Sequence, residues 1–191
     1  MRIIFKYMRI ISGTHRGKQL IAPKQLPVRP TTDFAKESLF NILNNSYYFD
    51  SISVLDLFAG TGNICYEFGS RGCQDITAVD NHSGCVQYIS KTAESLSYPI
   101  EVVKGDVFGY LEKTLRKFDI IFADPPYEIA PEDLERIVSL VFERELLNDE
   151  GLLIIEHSSK ISMEEHPYFE QVRKYGGTSF SFFSFYEEEE A

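Results

Sequence analysis

The apolar run Phe118-Asp119-Ile120-Ile121-Phe122-Ala123 ends abruptly at Asp124-Pro125-Pro126-Tyr127, and this junction admits few folds. Apolar character at five of these six residues fits a strand buried on both faces, as in a parallel sheet. Two consecutive prolines fix φ and donate no hydrogen bond, so the chain leaves the strand stiff and extended. Their carbonyls are left beside a carboxylate and an aromatic ring at the carboxyl end of a strand, where open α/β sheets bind ligands. Two acceptors and a stacking plate suit a flat, amino-bearing group such as a nucleobase. Taken alone, the tetrapeptide also fits a strand-ending turn with a surface acid.

A second junction lies upstream. Ile52-Ser53-Val54-Leu55-Asp56-Leu57-Phe58 is another apolar strand, followed at once by Ala59-Gly60-Thr61-Gly62. A glycine turn between strand and helix lets backbone N–H groups approach a ligand closely. The dinucleotide fingerprint is incomplete, because Cys65 stands where its third glycine belongs. The next strand, Asp75 to Asp80, closes with an acid about 20 residues after the first glycine, placed to accept from ribose hydroxyls. Nicotinamide and S-adenosylmethionine sites share that acid, so it does not choose between them. A third strand, Ile100 to Lys104, runs into Gly105-Asp106-Val107 and adds a carboxylate at the same edge.

Asp56-Leu57-Phe58-Ala59-Gly60-Thr61-Gly62, then Asp80, Asp106 and Asp124-Pro125-Pro126-Tyr127 together resemble an S-adenosylmethionine-dependent amino-methyltransferase. The N-terminal stretch narrows the likeness. Met8-Arg9-Ile10-Ile11-Ser12-Gly13, Arg16-Gly17-Lys18 and Arg29-Pro30-Thr31-Thr32-Asp33, followed by Leu39-Phe40-Asn41-Ile42-Leu43, resemble the bacterial RsmD family. Its members methylate the exocyclic N2 of a guanine in small-subunit (16S) ribosomal RNA. The likeness runs from about Met8 to about Phe183. It departs from the family pattern at Asn63-Ile64-Cys65-Tyr66, where small apolar residues are usual, and at Asp80, where Glu is more usual. Met-Arg-Ile-Ile occurs at residues 1 and 8, so residues 1–7 read as an extension without an assigned role.

The resemblance implies an α/β, Rossmann-like class I methyltransferase: a mostly parallel seven-stranded sheet ending in an antiparallel hairpin, with a small N-terminal β-hairpin. It implies S-adenosylmethionine as cofactor, held by Asp56, Phe58, Ala59, Gly60, Thr61, Gly62, Asp80, Asp106 and Val107. The methionine end is expected over the glycine turn, the ribose on Asp80 and the adenine beside Asp106 and Val107. Asp124, Pro125, Pro126 and Tyr127 become the catalytic set. Arg9, Arg16, Lys18, Arg29 and Thr31 become the RNA-facing set. The implied partner is small-subunit rRNA or the assembled small ribosomal subunit, met by a monomer.

Along the chain, an N-terminal extension and hairpin occupy residues 1–31, with strands between about 8 and 22 that turn at Gly13 to Gly17. The methyltransferase domain spans 32–186 and an acidic tail 187–191. A helix opens at Thr32 or Asp33, with Ala35, Leu39, Ile42 and Leu43 as its apolar stripe. Pro131 opens another, with Leu134, Ile137, Val138, Val141 and Phe142 at helical spacing. Gly151 starts a strand through Leu152 to Glu156. Phe169–Tyr175 and Thr178–Tyr186, joined at Gly176-Gly177, read as a hairpin without an intervening helix. Phe180, Phe182, Phe183 and Phe185 read as strand packing. Glu67, in the first helix of the domain, reads as a locally bonded or packed residue.

A chain of 191 residues buries a core as one domain. No stretch is apolar for the 18 or more residues a membrane span needs. Three cysteines (Cys65, Cys73, Cys85) without a C-x-x-C pair fit neither a disulfide framework nor a zinc site, and free thiols in a reducing cytoplasm are expected. His15, His82, His157 and His166 show no ligand spacing, and no metal is expected. A net charge of −10 opposes RNA binding. The distribution does not: Met1 to Thr32 holds seven Lys or Arg and no acid, whereas Glu187 to Glu190 are all acidic. The acidic tail reads as solubilising and disordered.

Three rival functions stay open on the residues alone. A protein glutamine-N5 methyltransferase uses the same logic but carries Asn before the prolines and a further N-terminal domain. A DNA adenine-N6 methyltransferase needs a target-recognition insert to read base edges. A non-catalytic RNA-binding module would keep the fold without turnover.

Overall fold

The structure, a computed structural model, describes residues 7–23, 25–26 and 31–185. Arg29, the extension before Tyr7 and the tail Glu187 to Glu190 lie outside the described residues.

Strands β1 (Tyr7–Arg9) and β2 (Gln19–Ile21) form the expected antiparallel hairpin, with Met8 opposite Leu20. Their alternation sets its orientation. Met8 and Leu20 are buried, whereas Tyr7, Arg9 and Ile21 face outward. Gly13 lies at φ +82° in the connecting turn, and a Cβ there would sit 1.8 Å from the Ser70 carbonyl oxygen. Only glycine permits that approach.

The main sheet has seven strands among the described residues, in the order β5-β4-β3-β6-β7-β9-β8. These are β3 (Ser53–Leu57), β4 (Asp75–Asp80), β5 (Ile100–Lys104), β6 (Phe118–Ala123), β7 (Leu147–Ser158), β8 (Phe169–Tyr175) and β9 (Thr178–Phe183). β3 to β7 pair in parallel; β9 inserts antiparallel between β7 and β8. The expected fold class is therefore the observed one.

Helices α1 (Asp33–Leu43), α2 (Asn63–Ser70) and α3 (Ser83–Leu96) cover one face, while α4 (Val107–Leu111) and α5 (Pro131–Glu143) cover the other. Thr32 caps α1, its hydroxyl accepting from the Ala35 N–H at 3.2 Å. The α5 stripe is buried as its spacing predicts. Val54, Phe122 and Ile154 belong to the first core and Leu55, Ile121 and Leu153 to the second, as alternation along doubly covered strands requires. No described helix is long and apolar enough to cross a membrane.

Three expectations need correction. β7 begins at Leu147, not after Gly151; its register against β6 shifts between Phe118 and Ile120, and Glu150 adopts φ +59° there. The polar Asn148-Asp149-Glu150 stretch hides the first half of that strand from an apolar-run reading. Phe180, Phe182 and Phe183 are fully buried, but Phe185 lies beyond β9 and is 41% exposed, its ring edge against Phe142 and Tyr168. Glu67 does not bond locally alone. Its carboxylate accepts from the Ile11 and Ser12 N–H groups at 2.8 and 3.0 Å, more than fifty residues away.

Candidate active site

β3 lies between β4 and β6, so chain connections diverge on either side of it and a crevice opens at the carboxyl ends. A cleft of about 810 Å³ occupies that position, a size suited to a small-molecule ligand. Its floor is the turn after β3. Phe58, a non-glycine residue, is held at φ +60°, and Gly60 and Gly62 follow at φ +56° and +77°. A phenylalanine in the left-handed region costs on the order of 1–3 kcal/mol, a cost that recurs where backbone is shaped for a ligand. Gly62 caps α2, and a Cβ on it would lie 2.7 Å from the Tyr66 ring.

The acids around this turn are differently employed. Asp80 is 8% exposed at the end of β4; its carboxylate accepts from the Gly60 N–H at 2.8 Å and the His82 N–H at 2.7 Å. Those bonds fix its plane against the glycine turn and use two of about four acceptor directions. Asp56 is 1% exposed beneath the turn and accepts from the Cys65 thiol at 2.9 Å. Burial, with the nearby Asp80 charge, pushes its carboxyl up to about 7. Burial likewise pushes the Cys65 thiol up, so it remains a thiol donor. Cys65 thus stands where a small apolar residue is usual because it partners Asp56. Asn63 accepts from Lys36 Nζ at 2.8 Å.

Asp106 and Val107 do not line the cleft. The Asp106 carboxylate caps α4, accepting from the Gly109 N–H at 2.8 Å, and Val107 is buried in the core beneath that helix. The cleft wall beyond Asp80 is built instead by Asn81, His82 and Cys85 at the start of α3. His82 accepts from the Gly84 N–H through Nδ1 at 3.2 Å, which leaves the ring proton on Nε2.

At the other end the cleft is bounded by Asp124, Pro125, Pro126 and Tyr127. The Asp124 N–H extends the ladder to the Leu57 carbonyl at 3.4 Å, so this acid stands at the last position tied to the sheet. Pro125 is buried, whereas Tyr127 presents a ring 55% exposed and donates its hydroxyl to the Gly177 carbonyl at 3.3 Å. The turn between β8 and β9 thereby closes the wall, with Tyr175 and Thr178 facing the same space. Glu156, at the end of β7, is a further carboxylate in this wall that no motif announced.

The basic set divides. Arg16 and Lys18 are exposed in the hairpin turn. Arg9 is also exposed, but its Nε pairs with Asp33 at 3.0 Å. Thr31 is buried in the cleft wall, with its hydroxyl donating to Glu156 Oε2 at 2.8 Å. Lys36, outside every motif, is 1% exposed. It donates to the Arg9 carbonyl at 2.7 Å and lies 3.4 Å from Glu67. Together with a Thr61 hydroxyl donated to Met8 Sδ at 2.9 Å, it joins the hairpin to the glycine turn.

Comparison with known proteins agrees with this architecture. A family model described as "Conserved hypothetical protein 95" matches residues 8–184. YlbH of Bacillus subtilis strain 168 is 33% identical over 163 residues, covering 83% of this chain and 86% of that protein. Ribosomal RNA small subunit methyltransferase D of Escherichia coli K12 is 31% identical over 150 residues, covering 78% and 74%. Among solved structures, the Thermus thermophilus 16S rRNA N2 G1207 methyltransferase RsmC, in complex with AdoMet and guanosine, shares the fold. Its TM-score is 0.71 at 19% identity, over 94% of this chain and 50% of that one. With the family matched along nearly its whole length and the glycine turn and Asp-Pro-Pro-Tyr meeting in one cleft, this chain belongs to the conserved hypothetical protein 95 family, the RsmD family that its motifs resemble.

Proposed function

We propose that this protein transfers a methyl group from S-adenosylmethionine to the exocyclic N2 of a guanine in small-subunit rRNA. One observation carries the reading: the strained glycine turn and the Asp124-Pro125-Pro126-Tyr127 corner open into the same cleft, one on each of two adjacent parallel strands. The first fits the cofactor. A backbone at positive φ lies over Asp56, and the Asp80 carboxylate is fixed at the cleft wall with acceptor directions left for ribose hydroxyls. The name of the Escherichia coli relative supports rRNA as the acceptor.

When bound, S-adenosylmethionine supplies a methyl group already activated on a sulfonium, so the remaining problem is the nucleophile. The guanine N2 lone pair is delocalised into the ring. The Asp124 carboxylate and the Pro125 carbonyl accept its two N–H bonds and draw the nitrogen toward tetrahedral geometry, which localises the lone pair. Tyr127 stacks on the base and sets its plane, its ring steadied by the bond to Gly177. The methylated nitrogen is acidic and loses its proton to Asp124 or water, so a strong general base is not required. A base in a stacked or paired region must turn out to reach Tyr127.

The test is transfer of labelled methyl to four acceptors: unmodified small subunits, naked small-subunit rRNA, double-stranded DNA and a release-factor protein. N2-methylguanine in subunit or rRNA is the expected product. Label recovered only as N6-methyladenine in DNA or as methylglutamine in protein overturns the reading, as does cofactor binding without label anywhere.

A further inference from the structure

Phe34 is 70% exposed, whereas Phe40 in the same helix is fully buried. The exposed ring is nevertheless rigidly mounted. It stands at the second position of α1, a helix capped by Thr32 and packed through Ala35, Leu39, Phe40 and Leu43. Its ring meets Tyr175 with centroids 5.9 Å apart at 79°, and Tyr175 leans in turn on buried Phe180 at 5.6 Å. An edge-to-face contact orients the ring while covering little of it. Thr32, Ala35 and Tyr175 line the cleft, so Phe34 stands at its mouth. Its sequence neighbour Asp33 pairs with Arg9 of β1 at 3.0 Å. The ring thus adjoins both the cleft and the hairpin that carries exposed Arg16 and Lys18. One and two turns further along the same helix face, Glu37 and Asn41 are exposed and polar. The apolar area on offer is that of one ring, which matches a single base and falls far short of a protein interface.

We infer that Phe34 is an RNA-binding residue, its ring stacking on the nucleobase next to the target guanine at the mouth of the cleft. The inference rests on the methyl-transfer reading above. A base turned out into the cleft leaves its neighbours in the strand without a stacking partner. Aromatic side chains replace that partner wherever single-stranded RNA is bound, since every base has a π face. A protein surface would also cover an exposed ring. The base is favoured by the size of the apolar area and by the charge beside it: Met1 to Thr32 holds seven Lys or Arg and no acid, which draws a phosphate chain.

The experiment uses small-subunit rRNA in the form that the wild-type protein labels, naked or reconstituted into the subunit. An abasic nucleotide replaces the base immediately 5′ or immediately 3′ of the labelled guanine. The Kd for each RNA is measured for wild type, Phe34→Ala, Phe34→Leu and Phe34→Trp. On intact RNA, Phe34→Ala and Phe34→Leu are expected to bind about tenfold or more weakly, and Phe34→Trp to stay within about threefold of wild type. On one of the two abasic RNAs, wild type loses a similar factor and Phe34→Ala loses nothing further, because ring and base form one contact. S-adenosylmethionine affinity, read by calorimetry, stays at the wild-type value in all variants. Wild-type RNA affinity in Phe34→Ala overturns the inference. So does a Phe34→Ala loss of undiminished size on both abasic RNAs, which would place a protein or the sugar–phosphate backbone against the ring. Failure of the wild-type protein to label any guanine N2 strikes the underlying reading instead.

Discussion

Asp56 lies beneath the glycine turn with 1% of its surface exposed, and its carboxyl is pushed up to about 7, first by burial and then by the Asp80 charge. The folded chain therefore holds a proton on Asp56 between about pH 4 and 7 that the unfolded chain has released. Folding stability from this group falls as pH rises through that window and is level above it, by at most about 4 kcal/mol. A cation entering the cleft favours the ionised form, and the proposed cofactor carries an ammonium and a sulfonium. Its affinity is expected to rise with pH by up to about one log unit per pH unit below 7. Asp56→Asn is expected to flatten the dependence. Calorimetric Kd values from pH 5.5 to 8.5 test this; parallel profiles for wild type and variant would remove Asp56 from the linkage. Asp124→Ala has a different signature. It removes an acceptor at the reacting nitrogen while the glycine turn is untouched, so kcat is expected to fall by about 100-fold or more with cofactor Kd nearly unchanged. Concurrent loss of both in calorimetry and single-turnover assays would sink its assigned role.

At the level of elements, a buried acid joins the N-terminal hairpin to α2, beside the bonds that Ser70 makes to Ser12, Thr14 and His15. Glu67 is fully buried, receives the Ile11 and Ser12 N–H groups, and lies 3.0 Å from Arg71 Nε and 3.4 Å from Lys36 Nζ. Glu67→Gln keeps the volume but leaves two cations without a counter-charge. Breaking such a cluster from one side costs about 3–5 kcal/mol. Urea denaturation is expected to show a loss of that size, together with faster hydrogen exchange at Ile11 and Ser12; a loss under about 1 kcal/mol would make the cluster ornamental. The bond to Arg71, four residues on, is the local partner that the sequence suggested; the rest was not legible, because the Ile11 and Ser12 partners sit more than fifty residues away and Lys36 occupies an ordinary helix position. The strands were legible for the opposite reason. β4, β5 and β6 are rich in apolar and β-branched residues, with Glu101 and Asp119 as interior exceptions, and their bounds are those read from the sequence. Motif residues likewise fell where strand ends place them; Asp106 follows β5 as read, but its D-x-x-G spacing serves as a helix cap. Thr31 and Glu156 were harder: what brings them together is the return of residue 31 across the end of β7, a tertiary event without local pattern.

Over the whole molecule, a net charge of −10 coexists with a segment, Met1 to Thr32, that has seven basic residues and no acid. If RNA is the substrate as proposed, a charge asymmetry of this kind along the chain would orient the encounter. Exposed Arg16 and Lys18 sit in the hairpin turn, and β1 and β2 pair beside the glycine turn through Met8 and Thr61. In the proposed reading, phosphates go to this hairpin and the target base to the Asp124 corner. Arg9 is the weaker probe, since its pairing with Asp33 at the start of α1 mixes binding with helix stability. The double charge reversal Arg16→Glu, Lys18→Glu avoids that confusion. It should weaken small-subunit rRNA binding by about tenfold or more at low salt and shallow the log Kd against log salt slope by about 1.4–1.8, the release expected from two phosphate contacts. Cofactor affinity should stay at the wild-type value, because neither side chain lines the cleft. Filter binding across a salt series, paired with calorimetry, reads both quantities. Unchanged slopes would move the RNA footprint off this hairpin, and the basic segment would then be surface charge unrelated to substrate.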